Sequence, residues 1–325
     1  MIASYGEALV DLIEQADGLF LPCLGGSVSN FCVATARQGI TSVYLNPLSR
    51  DGFGRRFAML YEANGVILAE PELSNCPTAL AVVTKNASNE PSYIFHRETV
   101  ADRDITLAKL QTSWPQDVRI LHTGCLTLTP QDIAQTMGLM DFAQSQGAVL
   151  SVDANIRLLA TPDRATYLAD VEHALLKADI IKLSDEDLEA LLPNIDPALP
   201  EHLALHYFAD SPSIELIVYT RGAMGATLIT RSEQITLAPP TGLIVVDTVG
   251  AGDCFAAALL AWLYKQGPDV RATIRTATQS TLRLALQHAL VAAGINVTRA
   301  GCDPASWQET RAVVLNSAAP LPPFV

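Results

Sequence analysis

The chain has 325 residues, 49% of them hydrophobic and 17% charged, and carries a net charge of −13. That length and apolar content suffice for a sizeable core, in one large α/β domain or in a domain with a smaller companion. The charge argues against nucleic acid or anionic membrane as a partner, although local backbone dipoles can still hold an anionic nucleotide.

Six scattered cysteines, Cys23, Cys32, Cys76, Cys125, Cys254 and Cys302, form no Cys-x-x-Cys pair. Neither a zinc site nor a redox motif is therefore visible, and cytoplasmic thiols are the plain expectation. No basic region precedes an apolar one at the start, and no run reaches membrane-spanning length. The sequons at Asn86 and Asn296 carry no meaning in a cytoplasmic chain.

In chain order, Ile2 to Val10 reads as a central strand leading to Asp11. A short mixed stretch, Leu12 to Leu24, ends in Gly25-Gly26. Ser29 to Gly39 reads as a helix, Thr41 to Leu45 as a strand, and Gly52 to Asn64 as a helix closing at Gly65. Such alternation predicts a parallel sheet covered on both faces.

Between residues 74 and 104 the texture changes. Thr78–Thr84 and Ser92–His96 read as two strands joined by the polar turn Lys85 to Pro91, with no helix between them. We assign them, with residues 11–24, to a small β lid outside the main sheet; an edge hairpin of that sheet is the alternative. The alternation then resumes. Strands are predicted at Ile120–His122, Ala148–Asp153, Ile180–Leu183, Ile214–Thr220 and Ala226–Thr230. Helices are predicted at Pro130–Gln146, Tyr167–Lys177 and Thr276–Ala293, and Pro320 to Pro323 reads as a tail.

The most informative stretch is Asp247-Thr248-Val249-Gly250-Ala251-Gly252-Asp253. The apolar run Leu243–Val246 before it reads as a buried strand, and Cys254–Tyr264 after it as a buried helix. Two glycines in a strand-to-helix turn place unpaired N–H groups and the helix dipole where an anion can approach. A carboxylate at Asp253 beside that anion needs a reason, and proton abstraction from an alcohol attacking phosphorus supplies one. A tight turn with a helix-capping Asp is the plain alternative.

The motif and its apolar helix resemble the C-terminal signature of the ribokinase-like (PfkB) carbohydrate kinases, with bacterial fructokinases as the nearest pattern. The resemblance runs from Gly6 to about Gly301. It implies an α/β, ribokinase-like three-layer fold: a mostly parallel central sheet flanked by helices, with a small β lid, in a single domain over residues 1–325. It makes Asp253 the catalytic base and Gly250, Ala251 and Gly252 the anion hole. ATP is then the phosphoryl donor and Mg²⁺ bridges its phosphates. Asp247 becomes a candidate ligand for a monovalent cation such as K⁺, as in some relatives.

Other segments extend the resemblance. Gly25-Gly26-Ser27-Val28-Ser29-Asn30 is similar to the family's Gly-Gly-x-x-x-Asn signature, so Gly25, Gly26 and Asn30 become sugar contacts; a turn with a Ser N-cap is the bland reading. Asp11 matches the family's sugar-binding Asp, which can accept from two neighbouring hydroxyls. Asp153-Ala154-Asn155-Ile156-Arg157 resembles the Asp-x-Asn-x-Arg of fructokinase-like members and makes Asp153 and Arg157 substrate contacts. Ser184 and Asp187 stand where the family has Asn and Glu, linked to Mg²⁺ handling. That departure leaves Asp187 as a metal ligand acting through water, or as part of a solvated acidic first turn. Thr220, Gly222, Gly225 and Gly301 fall where the family binds nucleotide.

The run Tyr93 to Asp102 resembles the Phe-Tyr-Arg…Ala-Asp segment of bacterial fructokinases. Arg97 would then reach a sugar oxygen from the lid, and fructose is the favoured substrate. A surface pair with Glu98 or Asp102 is the alternative for Arg97. Alternative substrates are 2-keto-3-deoxygluconate, ribose or a nucleoside. A sugar-binding regulator without catalysis is the reading from another class. The lid strands could pair two copies of the chain. Neither a P-loop nor a complete Gly-x-Gly-x-x-Gly is found, and His202 and His206 lack the Glu of a zincin.

Overall fold

A computed structural model describes residues 1–85, 91–196 and 198–316. The strands are β1 (Ile2–Tyr5), β2 (Leu9–Glu14), β3 (Phe20–Gly25), β4 (Ser42–Tyr44), β5 (Ile67–Leu68), β6 (Ala79–Lys85) and β7 (Pro91–His96). They continue with β8 (Ile120–Gly124), β9 (Val149–Asp153), β10 (Ile180–Ser184), β11 (Leu216–Thr220), β12 (Ala226–Ile229) and β13 (Gln234–Leu237).

The large sheet runs β13-β12-β11-β10-β9-β8-β1-β4-β5. Neighbours from β11 to β5 are parallel, while β12 and β13 are added antiparallel at one end. Residues alternate between two cores, as period-2 strands require. Ile2, Ile120 and Ile180 face helices Ser27–Arg37, Ala251–Gln266 and Gln279–Val297. Ala3, Leu121 and Ile181 face helices Ile133–Ser145, Arg164–Lys177 and Pro200–Asp210. The carboxyl ends of β8 to β11 therefore open onto one edge, where ligands of such sheets bind.

A second sheet, β3-β2-β6-β7, stands apart from the first. Strands β2 and β6 pair in parallel, with antiparallel partners outside them. The polar turn and the first sequon lie at residues 86–90, outside the described residues, as does the proline-rich tail.

Three expectations are corrected. The apolar run from Ile2 is two strands: the chain leaves the central sheet at Gly6, where an added Cβ would collide with Val28, and Asp11 lies inside β2 opposite Cys23 and Ala81. Leu243–Val246 is no strand, and Ile244 is 80% exposed. Strand β13 takes the sheet edge instead, and the Pro239-Pro240 that follows has no N–H to extend a ladder. Strands β5 and β13 and helices Leu107–Thr112, Val270–Arg275 and Trp307–Asn316 are among the elements that were not predicted. The helix Ala251–Gln266 does form, and it is buried continuously from Asp253 to Leu263.

Candidate active site

Asp253 lies in the first turn of helix Ala251–Gln266, directly after Gly250, which takes a left-handed conformation at φ 73°. Only glycine suits that position, because an added Cβ would also run into Cys302. At Gly252 an added Cβ would merely touch the Lys182 Nζ at 3.5 Å, so its side is open towards that ammonium. The Ala251 amide donates to the Thr248 carbonyl at 3.2 Å, leaving those of Gly250 and Gly252 without an acceptor among the described residues.

The Asp253 carboxylate is 7% exposed and is held by two donors from helix Ser27–Arg37. Ser27 Oγ donates to Oδ1 at 2.6 Å, and Asn30 Nδ2 to Oδ2 at 2.9 Å. Ser27 Oγ also accepts from Asn155 Nδ2 at 2.8 Å. Burial pushes the Asp253 carboxyl above its ordinary value, while the Ser27 and Asn30 donors and the Lys182 and Arg157 charges oppose the rise.

Beside this carboxylate, Lys182 Nζ donates to both oxygens of Asp153 at 2.9 Å. Both side chains are buried. Burial pushes Asp153 up to about 6, opposed by Lys182. Burial also works against the Lys182 charge, but Asp153 and Asp187 outweigh it and hold the ammonium protonated. Among the described residues the Arg157 side chain donates to the backbone carbonyls of Asn155 and Ile156, and it lies within electrostatic reach of Asp187 and Asp253.

The second sheet brings Asp11 to the same region. Gly25 makes room for it, since a Cβ there would collide with the Asp11 carboxylate. Burial pushes the Asp11 carboxyl up to about 6, opposed by the Arg157 charge. Gly26 packs on the Glu7 carbonyl, and the buried Glu7 carboxylate accepts from the Ser27 amide at 2.9 Å, fixing the helix start. Burial pushes that carboxyl up to about 7.

Asp187, expected to act on a metal through water or to belong to an acidic first turn, lies in the first turn of helix Asp185–Leu191. It closes a capping box on Ser184, and its Oδ1 accepts from the Ile156 amide at 2.7 Å. Both oxygens thus accept hydrogen bonds within the fold. Among the described residues no group of three or more His, Cys, Asp or Glu side chains is placed to hold a metal ion. Asp247 is similarly engaged: Oδ1 accepts from the Val249 amide at 3.0 Å and Oδ2 from the Gly301 amide at 2.9 Å. It ties the anion turn to the loop after helix Gln279–Val297. Thr220 ends β11, and Gly222 and Gly225 form the turn into β12, with Gly225 pressed on the Leu237 carbonyl.

Arg97 is not joined to this cluster by any hydrogen bond. Its guanidinium donates to Asp102 at 2.9 Å, to Asp132 at 3.1 Å and to the Leu126 carbonyl at 3.2 Å. Arg103 grips the same Asp132 at 2.8 and 2.6 Å. Partner Asp102 was foreseen, but the pair is buried rather than exposed. An adjoining hollow of about 230 Å³, lined by Arg97, Arg103 and Gln135 among others, includes none of the residues around Asp253. Arg97→Ala should therefore cost roughly 3–5 kcal/mol of stability by stranding buried carboxylates, with little change in sugar KM. Urea unfolding and steady-state kinetics check this. A raised sugar KM at unchanged stability would instead put Arg97 at the substrate.

The structure thus gathers Asp11, Gly25, Gly26, Asn30, Asp153, Arg157 and Asp253, and adds Lys182, with Ser27 and Asn155, which lie in the quoted motifs but were given no site role. The available signal for Lys182 was a lone charge inside the apolar strand Ile180–Leu183, which can be buried only with a partner.

Comparison with known proteins identifies the family and the fold. The pfkB family carbohydrate kinase model matches residues 1–309. A fructokinase of Rhizobium leguminosarum bv. trifolii is 31% identical over 288 residues, covering 87% of this chain and 86% of its own. Fructokinase-2 of Solanum habrochaites is 30% identical, covering 97% of this chain and 95% of its own. The crystal structure of a fructokinase with bound ATP from Xylella fastidiosa superposes with a TM-score of 0.85 at 26% identity, covering 98% of each chain. The chain belongs to the pfkB family of carbohydrate kinases, phosphotransferases that act on an alcohol group.

Proposed function

We propose that the protein transfers the γ-phosphoryl group of ATP to the primary hydroxyl of D-fructose, giving fructose 6-phosphate. The observation that carries this reading is the buried Asp253 carboxylate at a helix N-terminus, with the Lys182 ammonium across Gly252 from it. The Gly25-Gly26 turn, Asn30, Asp11 and Arg157 hold the sugar. Asp253 takes the hydroxyl proton, the alkoxide oxygen bonds to the γ-phosphorus, and the bond to the β-phosphate oxygen breaks to release ADP. The Gly250 and Gly252 amides and the Lys182 ammonium face the charge on the moving phosphoryl group.

Thr220, Gly222, Gly225 and Gly301 border the nucleotide, and the exposed Ile244 and Val245 offer an apolar surface to its base. Mg²⁺ bound with the nucleotide would supply charge neutralisation to its phosphates, and Asp187, held in its capping box, would reach it through water. The second sheet acts as a lid that excludes water, the competing nucleophile. Free thiols fit a cytoplasmic setting. ADP release measured with fructose, ribose, 2-keto-3-deoxygluconate and nucleosides, with and without Mg²⁺, tests the reading. Fructose should give the highest kcat/KM, and a flat response across the panel would reject it.

The acid limb of the rate carries a further expectation. Protonated Asp253 cannot accept a proton, so kcat falls as pH drops through its raised pKa. Asn30 donates to the charged form, so Asn30→Ala should move that limb to higher pH. A limb that stays fixed or moves down would contradict the base assignment.

The face of the lid turned away from Asp11 exposes Phe20 and Ile94, which two copies of the chain could cover by pairing. Sedimentation should show a dimer that Ile94→Asp weakens. A monomer at micromolar concentration would remove the proposal.

A further inference from the structure

Cys254 follows Asp253 in the first turn of the buried helix, and its Sγ lies 3.9 Å from that of Cys302. Among the described residues no second pair of thiols is in contact. Cys254 is buried, whereas Cys302 is half-buried in the loop after helix Gln279–Val297. Cys302 presses on Gly250 so closely that no Cβ fits there. Its neighbours are anchored as well: the Gly301 amide on Asp247 and the Asp303 amide on Asn296 at 3.0 Å. The two sulfurs therefore connect the residue after the base to the loop that braces the anion turn.

We propose that Cys254 and Cys302 form an oxidation site, at which peroxide joins them in a disulfide that arrests phosphoryl transfer. The sulfur of Cys302, the less buried of the two residues, attacks one peroxide oxygen, the O–O bond breaks, and Cys302 sulfenic acid and water result. The Cys254 sulfur then attacks the sulfenic sulfur, the S–S bond forms, the S–O bond breaks and a second water leaves. Two thiols are oxidised by two electrons in total, and one peroxide is reduced. The contact with Cys302 and burial both hold Cys254 as a thiol, so the first attack falls to Cys302, and the Cys254 proton leaves with the sulfenic oxygen as water.

A disulfide needs its sulfurs about 2 Å apart. The helix is locked in the core from Asp253 to Leu263, so the closing movement falls on the 301–303 loop and on the Gly250 turn beneath it. Misplacing reacting groups by about 1 Å can cost roughly 100-fold in rate. The effect on rate rests on the function proposed above; the bond itself does not.

The full chain, treated with hydrogen peroxide, should lose two hydrogens in mass and yield a peptide cross-link between Cys254 and Cys302, seen by non-reducing mass spectrometry. Its kcat should fall by at least about tenfold and recover with dithiothreitol. Cys302→Ser and Cys254→Ala should each keep their own untreated rates in peroxide. Absence of the cross-link overturns the site, and a cross-link that leaves kcat unchanged overturns its effect. Failure of the kinase reading would show separately, as no sugar phosphorylation by the untreated, reduced protein.

Discussion

Asp253→Asn should lower kcat by roughly 100- to 10,000-fold, the range that general-base catalysis supplies, while sugar and ATP binding stay near wild type. The substitution keeps the shape of a side chain that is 7% exposed, so the core should tolerate it. The new amide can turn its oxygen to Asn30 and its NH₂ to Ser27 Oγ, which can accept. What it cannot do is take a proton from the substrate hydroxyl. ADP release gives kcat, and calorimetry gives the two binding constants. A folded variant with near-normal kcat would remove Asp253 as the base.

Lys182→Met is expected to damage both turnover and stability, for different reasons. The lost ammonium faces Gly252, and removing one preorganised charge-stabilising group typically costs roughly 100- to 1,000-fold in kcat. Its loss also leaves Asp153 buried without its cation, at roughly 3–5 kcal/mol. That carboxyl is already raised to about 6 and rises further without Lys182. A carboxyl raised in the folded state stabilises most below its unfolded pKa, and that contribution is lost as pH climbs through the folded one. The stability deficit of Lys182→Met should therefore be smallest near pH 5 and largest near pH 8, measured as Tm at both. Adding Asp153→Asn should recover stability but not kcat. Recovery of both would make Lys182 a structural partner only.

Much of the fold was legible because its cause is local. Apolar strands alternating with helices dictate a covered parallel sheet, and the Gly52–Asn64 helix is stopped by Gly65 in the left-handed conformation, as read. The run Leu243–Val246 misled because β-branched apolar residues look alike in a buried strand and on an exposed loop. Which one forms was decided by the competing edge strand β13 and by Pro239-Pro240. The strand Ile2–Val10 misled because its break at Gly6 depends on Val28 and Thr127, which are distant in sequence.

The site divides in the same way. Asp253 and Gly250 could be found because the turn chemistry is contained in seven consecutive residues. Lys182 stood out locally as a charge in an apolar strand, but its partner Asp153 lies 29 residues away. The metal role of Asp187 came from its place in the family's Asn-x-x-Glu motif, and its spacing from Ser184 also makes the capping box that forms. Arg97 looked like a sugar contact because nothing in its own segment revealed Asp132.

The most direct measurement is phosphorus NMR of the products from ATP, Mg²⁺ and D-fructose. One phosphomonoester on the C6 oxygen should appear for each ADP formed, and neither should appear with Asp253→Asn. Inorganic phosphate as the only new phosphorus species besides ADP, at a rate indifferent to the sugar, would contradict the account.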